Sequence, residues 1–410
     1  MSSQADAYAR LADLVGRRGM SIDRIKDRLK AQEIETPSWG YADSGTRFGS
    51  FRQPGAAVSI AEKLADAGVV NRFTGVAPKV AMHVLWDLPD EQALETVPEA
   101  AAEAGVRVGS INPNVFQDQE YKFGSFCSPF ADARQKAIDH SLDCIRIANE
   151  VDSKVLSMWL ADGTDYPGQD SFIGRKHRLQ DGMRQVYEAM PTDMTLLVEY
   201  KFFEPAFYHT DLSDWGQSLL LCQHLGPQAK VLVDLGHHAM GVNIEHIVAT
   251  LLDEGMLGGF HFNNRKYADD DLTCGSVNPY EFFLIYNELA AAEEDPDLRT
   301  HVEYMIDQAH NTKLKIPAMI QTVTHIQTAY AKALLVDRQE LDAARQAGDV
   351  QAAEMVLLDA YETDVRPLLA QVREELGIDP DPLRAYYASG YQERIESQRG
   401  HRQSTGGLGV

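Results

Sequence analysis

The 410-residue chain has few cysteines, and no run of apolar residues approaches the ~20 needed to cross a bilayer. The four cysteines are scattered, without the close spacing of a metal or redox motif: Cys127, Cys144, Cys222 and Cys274. The charged, amphipathic N-terminus lacks the apolar core of a signal peptide. These features predict reduced, buried thiols and a cytoplasmic protein with no membrane partner.

Positive charge is also scarce. The chain has 38 lysines and arginines against 61 aspartates and glutamates, a formal net charge of −23 at pH 7. No basic stripe interrupts this excess, and such a surface repels nucleic-acid backbones and anionic lipids. The charge therefore predicts no nucleic-acid partner and is compatible with a small-molecule substrate.

From Lys79 onward, apolar runs of strand length alternate with helical stretches. Such alternation indicates βαβ units and a parallel sheet. The seven runs are "KVAMHVLW", "VRVGSIN", "SKVLSMWL", "MTLLVEYK", "KVLVDLG", "GGFHFNN" and "THVEYMID". Their number and the chain length favour a (β/α)8 TIM barrel over an open sheet, with an eighth strand still to be placed, before His83 in our interpretation.

The predicted organisation has four parts. Residues 1–71 form N-terminal helices and an aromatic lid loop, and residues 72–315 form the barrel core. Residues 316–390 form a helical extension packed on the barrel, and the polar, glycine-rich residues 391–410 form a flexible tail.

The loop from Thr36 to Gly55 is too polar and glycine-rich for a helix, yet it contains four large aromatic residues: Trp39, Tyr41, Phe48 and Phe51. Exposed aromatics of this kind mark an interaction surface. The alternative is that they pack on their own barrel, and the residues alone leave both interpretations open.

Polar and aromatic side chains follow the ends of the predicted strands. In a barrel the active site gathers at the carboxyl ends of the strands, so one assumption about the fold brings most of them together. They are His83, Asp87, Trp159, Glu199, Lys201, Asp234, His237, His261, Asp269, Asp271 and Asp307.

The stretch "VLVDLGHHAMG" places Asp234 at the end of a buried strand, where a charge is costly unless it is paired or holds a metal. Taken singly, Asp234 is more often a helix cap and His83 a packing histidine. Taken together, the strand-end carboxylates and imidazoles favour Mn²⁺, Mg²⁺, Co²⁺ or Zn²⁺, with enough ligands for two ions. Lys201 can pair with such a carboxylate or stabilise an oxyanion on a substrate.

Several motifs in order resemble the L-rhamnose isomerase family of the Pseudomonas type, which is related to the xylose isomerases. They are "PSWGYADSGTRF", "HVLWD", "VEYKFFEPAFYHT", "VDLGHHAMGVNIE", "GGFHFNNRKYADDDL" and "MIDQAHNTK". The resemblance implies a metal-dependent aldose–ketose isomerase on a (β/α)8 barrel. L-rhamnose is the expected substrate, and another aldose such as D-ribose or D-allose is the alternative.

The resemblance also implies two divalent ions per subunit, with Mn²⁺ expected. The ligands of a structural ion match Glu199, Asp234, His261 and Asp307. The ligands of a catalytic ion match Asp234, His237, Asp269 and Asp271, so that Asp234 bridges the two, and Gly236 is expected to let the chain turn towards His237.

The remaining residues carry over as follows. His83 matches the acid/base that opens the sugar ring, with Asp87 orienting its imidazole, and Lys201 matches a contact to the first substrate oxygens. Trp86 and Trp159 match apolar walls. The loop holding Phe48 matches a lid that extends over a neighbouring active site in a homotetramer.

Three rival functions are weaker. A metal-dependent nuclease is disfavoured by the charge. A ketose 3-epimerase on the same fold needs one metal and two opposed carboxylates, whereas this chain has one lysine and a surplus of ligands. A non-catalytic sugar-binding barrel does not require the His83–Asp87 pair.

Overall fold

Eight parallel strands close into a barrel in the computed structural model, which describes residues 2–46, 49–203, 209–298 and 301–400. Two further strands, β2 and β3, form a separate antiparallel hairpin. In chain order the ten strands are β1 (Ile34–Pro37), β2 (Ser44–Thr46), β3 (Gly49–Phe51), β4 (Lys79–His83), β5 (Arg107–Asn112), β6 (Val155–Trp159), β7 (Thr195–Glu199), β8 (Ala229–Asp234), β9 (Leu257–Phe262) and β10 (Glu303–Ile306).

Fifteen α-helices lie in the described parts of the chain, and one helix follows each barrel strand. They are α1 (Ser2–Arg17), α2 (Ile22–Lys30), α3 (Ile60–Thr74), α4 (Glu91–Ala104), α5 (Ala131–Glu150), α6 (Phe172–Ala189), α7 (Trp215–Leu225), α8 (Ile244–Asp253), α9 (Pro279–Glu294), α10 (Lys315–Ala333), α11 (Arg338–Ala347), α12 (Val350–Glu362), α13 (Arg366–Glu375), α14 (Pro382–Ala388) and α15 (Tyr391–Arg399). This βα alternation confirms the predicted TIM barrel.

The barrel strands are buried on both faces, which is why they read as nearly continuous apolar runs. The strand order is β1-β10-β9-β8-β7-β6-β5-β4, and β1 closes the ring by pairing with both β10 and β4. Because all eight strands are parallel, their carboxyl ends meet at one face of the barrel, and the loops that follow them form the site.

The eighth strand is β1, and it does precede His83 as expected. The predicted barrel boundary at residue 72 is therefore wrong, because the barrel begins at Ile34. The sequence "SIDRIKDRLKAQEIE" has a helical pattern throughout, but its last two residues belong to β1. Helix α2 ends at Lys30, and the buried Ile34–Pro37 segment pairs with β10 and β4.

The C-terminal helices pack on the barrel, and the last one corrects a prediction. Residues 391–399 were expected in a flexible tail, yet they form α15, and Ile395 on this helix is buried. Arg399 donates to both carboxylate oxygens of Asp66 on α3, at 2.7 and 3.0 Å, and to the carbonyl of Gly55 at 2.9 Å. Residues 401–410 lie outside the described part of the chain.

The aromatic loop divides into two parts. Trp39 and Tyr41 are buried against their own barrel, so for these two residues the lid interpretation is wrong. The β2–β3 hairpin follows, and Phe51 at its end is 53% exposed. Phe48, the predicted lid residue, lies outside the described residues. The four cysteines are buried and free, and within the described chain no helix has the length and apolarity to span a membrane.

Candidate active site

Two groups of metal-type ligands meet at the carboxyl ends of the strands, and they share Asp234. Within each group the donor atoms lie no more than 4.8 Å apart. The first group is Glu199, Asp234, His261 and Asp307. The second group is Asp234, His237 and Asp269. The structure thus brings together every predicted ligand except Asp271, and Asp234 belongs to both groups.

Asp234 is held by donors from its own loop and from the loop that follows β9. The backbone N–H of Gly236 donates to its Oδ1 at 2.6 Å, and the Asn263 side chain donates to both carboxylate oxygens at 2.9 and 3.0 Å. These bonds fix the carboxylate orientation. Asn263 was not among the predicted site residues, although its position directly after a strand is the same signal that indicated the candidate ligands.

Gly236 has a different role from the one expected. Its φ is not in the left-handed region, so the turn does not require glycine for its backbone conformation. A Cβ at this position would lie 2.5 Å from Oδ1 of Asp269 and 3.1 Å from Oδ1 of Asp234. The glycine therefore provides space for the two carboxylates.

The two histidines face the ligand groups in different ways. Nδ1 of His237 lies 3.0 Å from the carbonyl of Tyr200, an acceptor that assigns the proton to Nδ1. Its Nε2 is then available to a metal, and it lies 3.4 Å from Oδ2 of Asp269. Nδ1 of His261 lies 3.2 Å from Glu199 and 3.6 Å from Asp234.

Concentrating carboxylates in a buried site has an electrostatic cost. Burial raises the pKa of Asp234 to about 7 and also raises that of Asp307. Burial acts in the same direction on Glu199, but the neighbouring His261 and His237 hold its pKa at about 2. Divalent cations would offset this cost, because they favour the ionised carboxylates.

The predicted ligand Asp271 lies beside these groups but not within them. Its φ of 45° takes the loop out of the extended conformation that would align it with Asp269. Burial raises its pKa well above the usual value, and the charges of Asp269, Asp307 and Asp234 add to the effect. Asp271 as a metal ligand stays a prediction.

Lys201 closes one side of the site. Its Nζ lies 2.8 Å from Oδ2 of Asp269 and 5.2 Å from the ring centre of Trp159. The other oxygen of Asp269, Oδ1, is buried without a hydrogen-bond partner among the described residues. A buried carboxylate oxygen left in this way fits an absent cation, as does the hard oxygen and nitrogen donor set.

His83 and Asp87 are neighbours, but not in the predicted manner. Asp87 does not contact the imidazole. Its Oδ2 accepts the backbone N–H of His83 at 2.6 Å, whereas Nδ1 of the imidazole lies 3.0 Å from the carbonyl of Val84. Asp87 therefore orients the turn and Val84 orients the ring, and burial lowers the pKa of His83 to about 3, which keeps the imidazole neutral.

An aromatic wall surrounds His83 and faces the ligand groups. The imidazole stacks on Trp86 at 3.7 Å, and Leu85, with a left-handed φ of 81°, forms the turn that brings the two together. Phe116 contacts Trp86 and Trp159, with ring centres 6.1 and 4.8 Å apart. The predicted walls Trp86 and Trp159 are thus parts of one surface.

Trp39 and Phe116 also belong to this site, although neither was among the predicted site residues. Trp39 lies edge-on to His83 at 6.0 Å, and its indole N–H donates to Oδ1 of Asp307 at 2.9 Å, which joins the aromatic wall to the first ligand group. Phe116 follows β5, and Trp39 follows the strand that could not be placed. The signal that applies to both is their position after a strand end.

Comparison with known proteins is consistent with this arrangement. Residues 61–295 match the family model described as xylose isomerase-like TIM barrel. A Rhizobium meliloti protein named probable sugar isomerase is 41% identical over 397 residues, covering 96% of this chain and 92% of that protein. A Mesorhizobium japonicum protein of the same description is 40% identical over the same shares of both chains.

More distant proteins match parts of the chain. The xylose isomerase of Thermus thermophilus is 25% identical over 214 residues, which cover 48% of this chain and 53% of that enzyme. The solved structure of a xylose isomerase domain protein from Alicyclobacillus acidocaldarius has a TM-score of 0.50 and 14% identity, covering 74% of this chain and 99% of that one. This structural likeness concerns the fold alone.

Proposed function

We propose that this chain, which belongs to the xylose isomerase-like TIM barrel family, is a metal-dependent aldose–ketose isomerase. We propose L-rhamnose as its preferred substrate. The observation that carries the proposal is the pair of ligand groups that share Asp234, with Lys201 beside Asp269 and a neutral His83 next to Trp39, which bonds Asp307. The choice of L-rhamnose rests on the sequence motifs, and D-ribose and D-allose are the alternatives.

The residues suit the two stages of the reaction. Ring opening moves a proton from the anomeric hydroxyl to the ring oxygen, and a neutral imidazole with its proton on Nδ1 offers Nε2 as the base. Hydride transfer between adjacent carbons then requires a dry site, which the aromatic wall of Trp39, Trp86, Phe116 and Trp159 supplies.

We propose that two divalent ions, Mn²⁺ in the first instance, bind at the two ligand groups. When bound, such ions polarise a carbonyl oxygen and stabilise an alkoxide. We propose that the ammonium of Lys201 contacts the first oxygen of the open-chain sugar, and its position between Asp269 and Trp159 supports this role. The second ligand group favours isomerisation over a one-metal 3-epimerase.

We also propose a homotetramer in which the hairpin of one subunit covers the site of its neighbour. In support, Phe51 on the hairpin is largely exposed, and so are Phe123 and Phe130, whose rings contact each other on the loop after β5. Apolar rings at the rim of a site are suited to a protein contact.

The decisive experiment incubates the metal-loaded protein with L-rhamnose, D-ribose and D-allose and identifies the ketose formed. Conversion without an added redox cofactor is expected, with L-rhamnose the best substrate. Chelation should abolish turnover, and Mn²⁺ or Co²⁺ should restore it. Interconversion of ketoses alone would indicate the epimerase, and full activity in a metal-free preparation would contradict the whole proposal.

A further inference from the structure

A fully buried ion pair lies beneath the turn that holds His83. Nζ of Lys63, on α3, lies 2.6 Å from Oδ1 of Asp87, and both side chains have zero exposure. The other oxygen of Asp87 accepts from the Ser38 hydroxyl at 2.5 Å and from the backbone N–H of His83 at 2.6 Å. Asp87 thus joins three elements through one carboxylate.

We propose that Lys63 is a positioning residue for ring opening, acting through Asp87 as the buried counter-ion that keeps the His83 turn in place. The inference rests on the proposed isomerase function and deepens it. None of the motifs identifies Lys63, which lies within the helical stretch "AEKLADAG" well before the strand that ends at His83.

The geometry explains why a cation is needed. A buried carboxylate without a counter-ion is strongly destabilised, and removing one partner of a buried pair leaves that cost in full. The carboxylate itself is needed because a single group must accept from Lys63, Ser38 and His83, and an amide oxygen with its NH2 could not replace both acceptor atoms.

The placement of the aromatic wall depends on the same carboxylate. Ser38 directly precedes Trp39, and the N–H of Asp87 returns a bond to the carbonyl of His83 at 2.9 Å. Asp87 therefore fixes Trp39 and His83 relative to each other, edge to face at an interplanar angle of 87°. If Asp87 moved, the imidazole of His83 would shift relative to Trp39.

Asp87 and Lys63 also have opposite electrostatic effects on the pKa of the His83 imidazole. Burial lowers the pKa of His83, Asp87 acts to raise it, and Lys63 acts against Asp87, with His140 on α5 adding to the lowering. The cation therefore helps to keep the ring neutral, which a base requires.

The test is a double-mutant cycle on the metal-loaded enzyme, with kcat/KM for the preferred aldose as the readout. His83→Ala alone should cost ~10²-fold. Lys63→Met should cost at least ~10-fold in the wild-type background but less than ~3-fold in the His83→Ala background, because its effect acts through the missing imidazole. Metal content should be unchanged in all variants.

A purely structural role would give the same loss in both backgrounds, and that result would overturn the inference while leaving the isomerase intact. Should Lys63→Met fail to fold, the cycle is repeated with Lys63→Met/Asp87→Asn, which removes both charges and the same positioning contacts. Lys230→Met is the control, because Lys230 lies at the amino end of β8, whereas the candidate site lies at the carboxyl ends of the strands. Among the described residues, the hydrogen-bond partner of its Nζ is the carbonyl of Gly255, at 2.7 Å. A wild-type enzyme inactive on every aldose would overturn the proposed function and, with it, this inference.

Discussion

At the scale of single residues, Gly236 is important because the carboxylates of Asp269 and Asp234 occupy the space that a Cβ atom would need. An added methyl group would lie 2.5 Å from Oδ1 of Asp269, so either the loop or Asp269 must move. Gly236→Ala should therefore lose the ion proposed for the Asp234–His237–Asp269 group and retain the ion proposed for the other group. Metal content after dialysis measures this outcome.

Gly16→Ala is the control for that substitution, since a Cβ at Gly16, in α1, meets no atom within 4 Å. Its metal content should equal that of the wild type. Retention of both ions by Gly236→Ala would show that the loop gives way at little cost.

Glu35, on β1, is a second residue whose surroundings set its behaviour. Its carboxyl group is fully buried and bonds the N–H and hydroxyl of Ser110 at 2.8 and 2.6 Å, and burial raises its pKa to about 7. The ordinary value is 4.5, so the folded state favours the protonated form. Protonated Glu35 therefore contributes to the free energy of unfolding. That contribution is fully present below pH 4.5 and is lost as the pH rises through about 7.

Glu35→Gln should remove that pH dependence. A shift of this size corresponds to roughly 3 kcal/mol, so the variant should gain stability relative to the wild type between pH 5 and pH 8. Urea unfolding at the two pH values, with metal held constant, measures the difference. Parallel pH profiles for the two proteins would show that Glu35 is ionised in the folded state.

At the scale of elements, helix α15 acts as a clamp, by which we mean that Arg399 near its end bonds both α3 and Gly55 in the segment between the hairpin and α3. Both Nη atoms of Arg399 donate to the carboxylate of Asp66, and Nη1 also donates to the carbonyl of Gly55. Arg399→Gln leaves the carboxylate of Asp66 buried without its counter-ion, which should cost about 3 kcal/mol of unfolding free energy. Urea denaturation is the measurement.

The matching control is Arg366→Gln, at the start of α13, because its partner Asp364 and Arg366 itself are both well exposed. Exposed pairs contribute little, so this variant should unfold at the wild-type urea concentration. Equal effects from the two substitutions would mean that α15 is not a clamp.

The elements that sequence analysis recovered are those with a strong local signal. Seven barrel strands are buried apolar runs, and each was identified. β1 was missed because it is only four residues long, includes Glu35 and Pro37, and follows a helix closely. Its omission also hid Trp39, since the residue's position after a strand end could not be recognised.

The position of the candidate site was predictable for a related reason. In a parallel barrel, strand-end residues converge whatever the details of the loops, so six of the seven candidate ligands lie close together. Loop geometry is not encoded so simply. The spacing of His83 and Asp87 indicated proximity, but only the structure shows that Asp87 bonds the backbone rather than the ring, and that Asp271 turns out of line.

At the scale of the whole molecule, the proposed tetramer predicts complementation between subunits. Phe48→Ala should raise KM or alter the preference among aldoses without changing metal content. Mixing it with Asp234→Asn should give hybrids in which some sites combine an intact metal centre with an intact lid, so that affinity recovers. Kinetics of the mixed, reassembled enzyme measure this recovery.

Sedimentation of the same samples provides the control, because hybrids must first form. An active monomer, or unchanged kinetics of Phe48→Ala on every aldose, would assign the hairpin to its own barrel.

The closure of the barrel by β1 has a consequence for how the chain is made. Ile34 pairs with Tyr304, so β1, the first barrel strand to be synthesised, cannot complete its pairing until β10, the last, has been synthesised. β1 can pair with β4 early, and the sheet can grow strand by strand to β9, but until β10 arrives the nascent sheet carries two open edges. A chain whose translation stops before residue 303 would therefore expose two sheet edges and be prone to aggregate unless chaperones bind it.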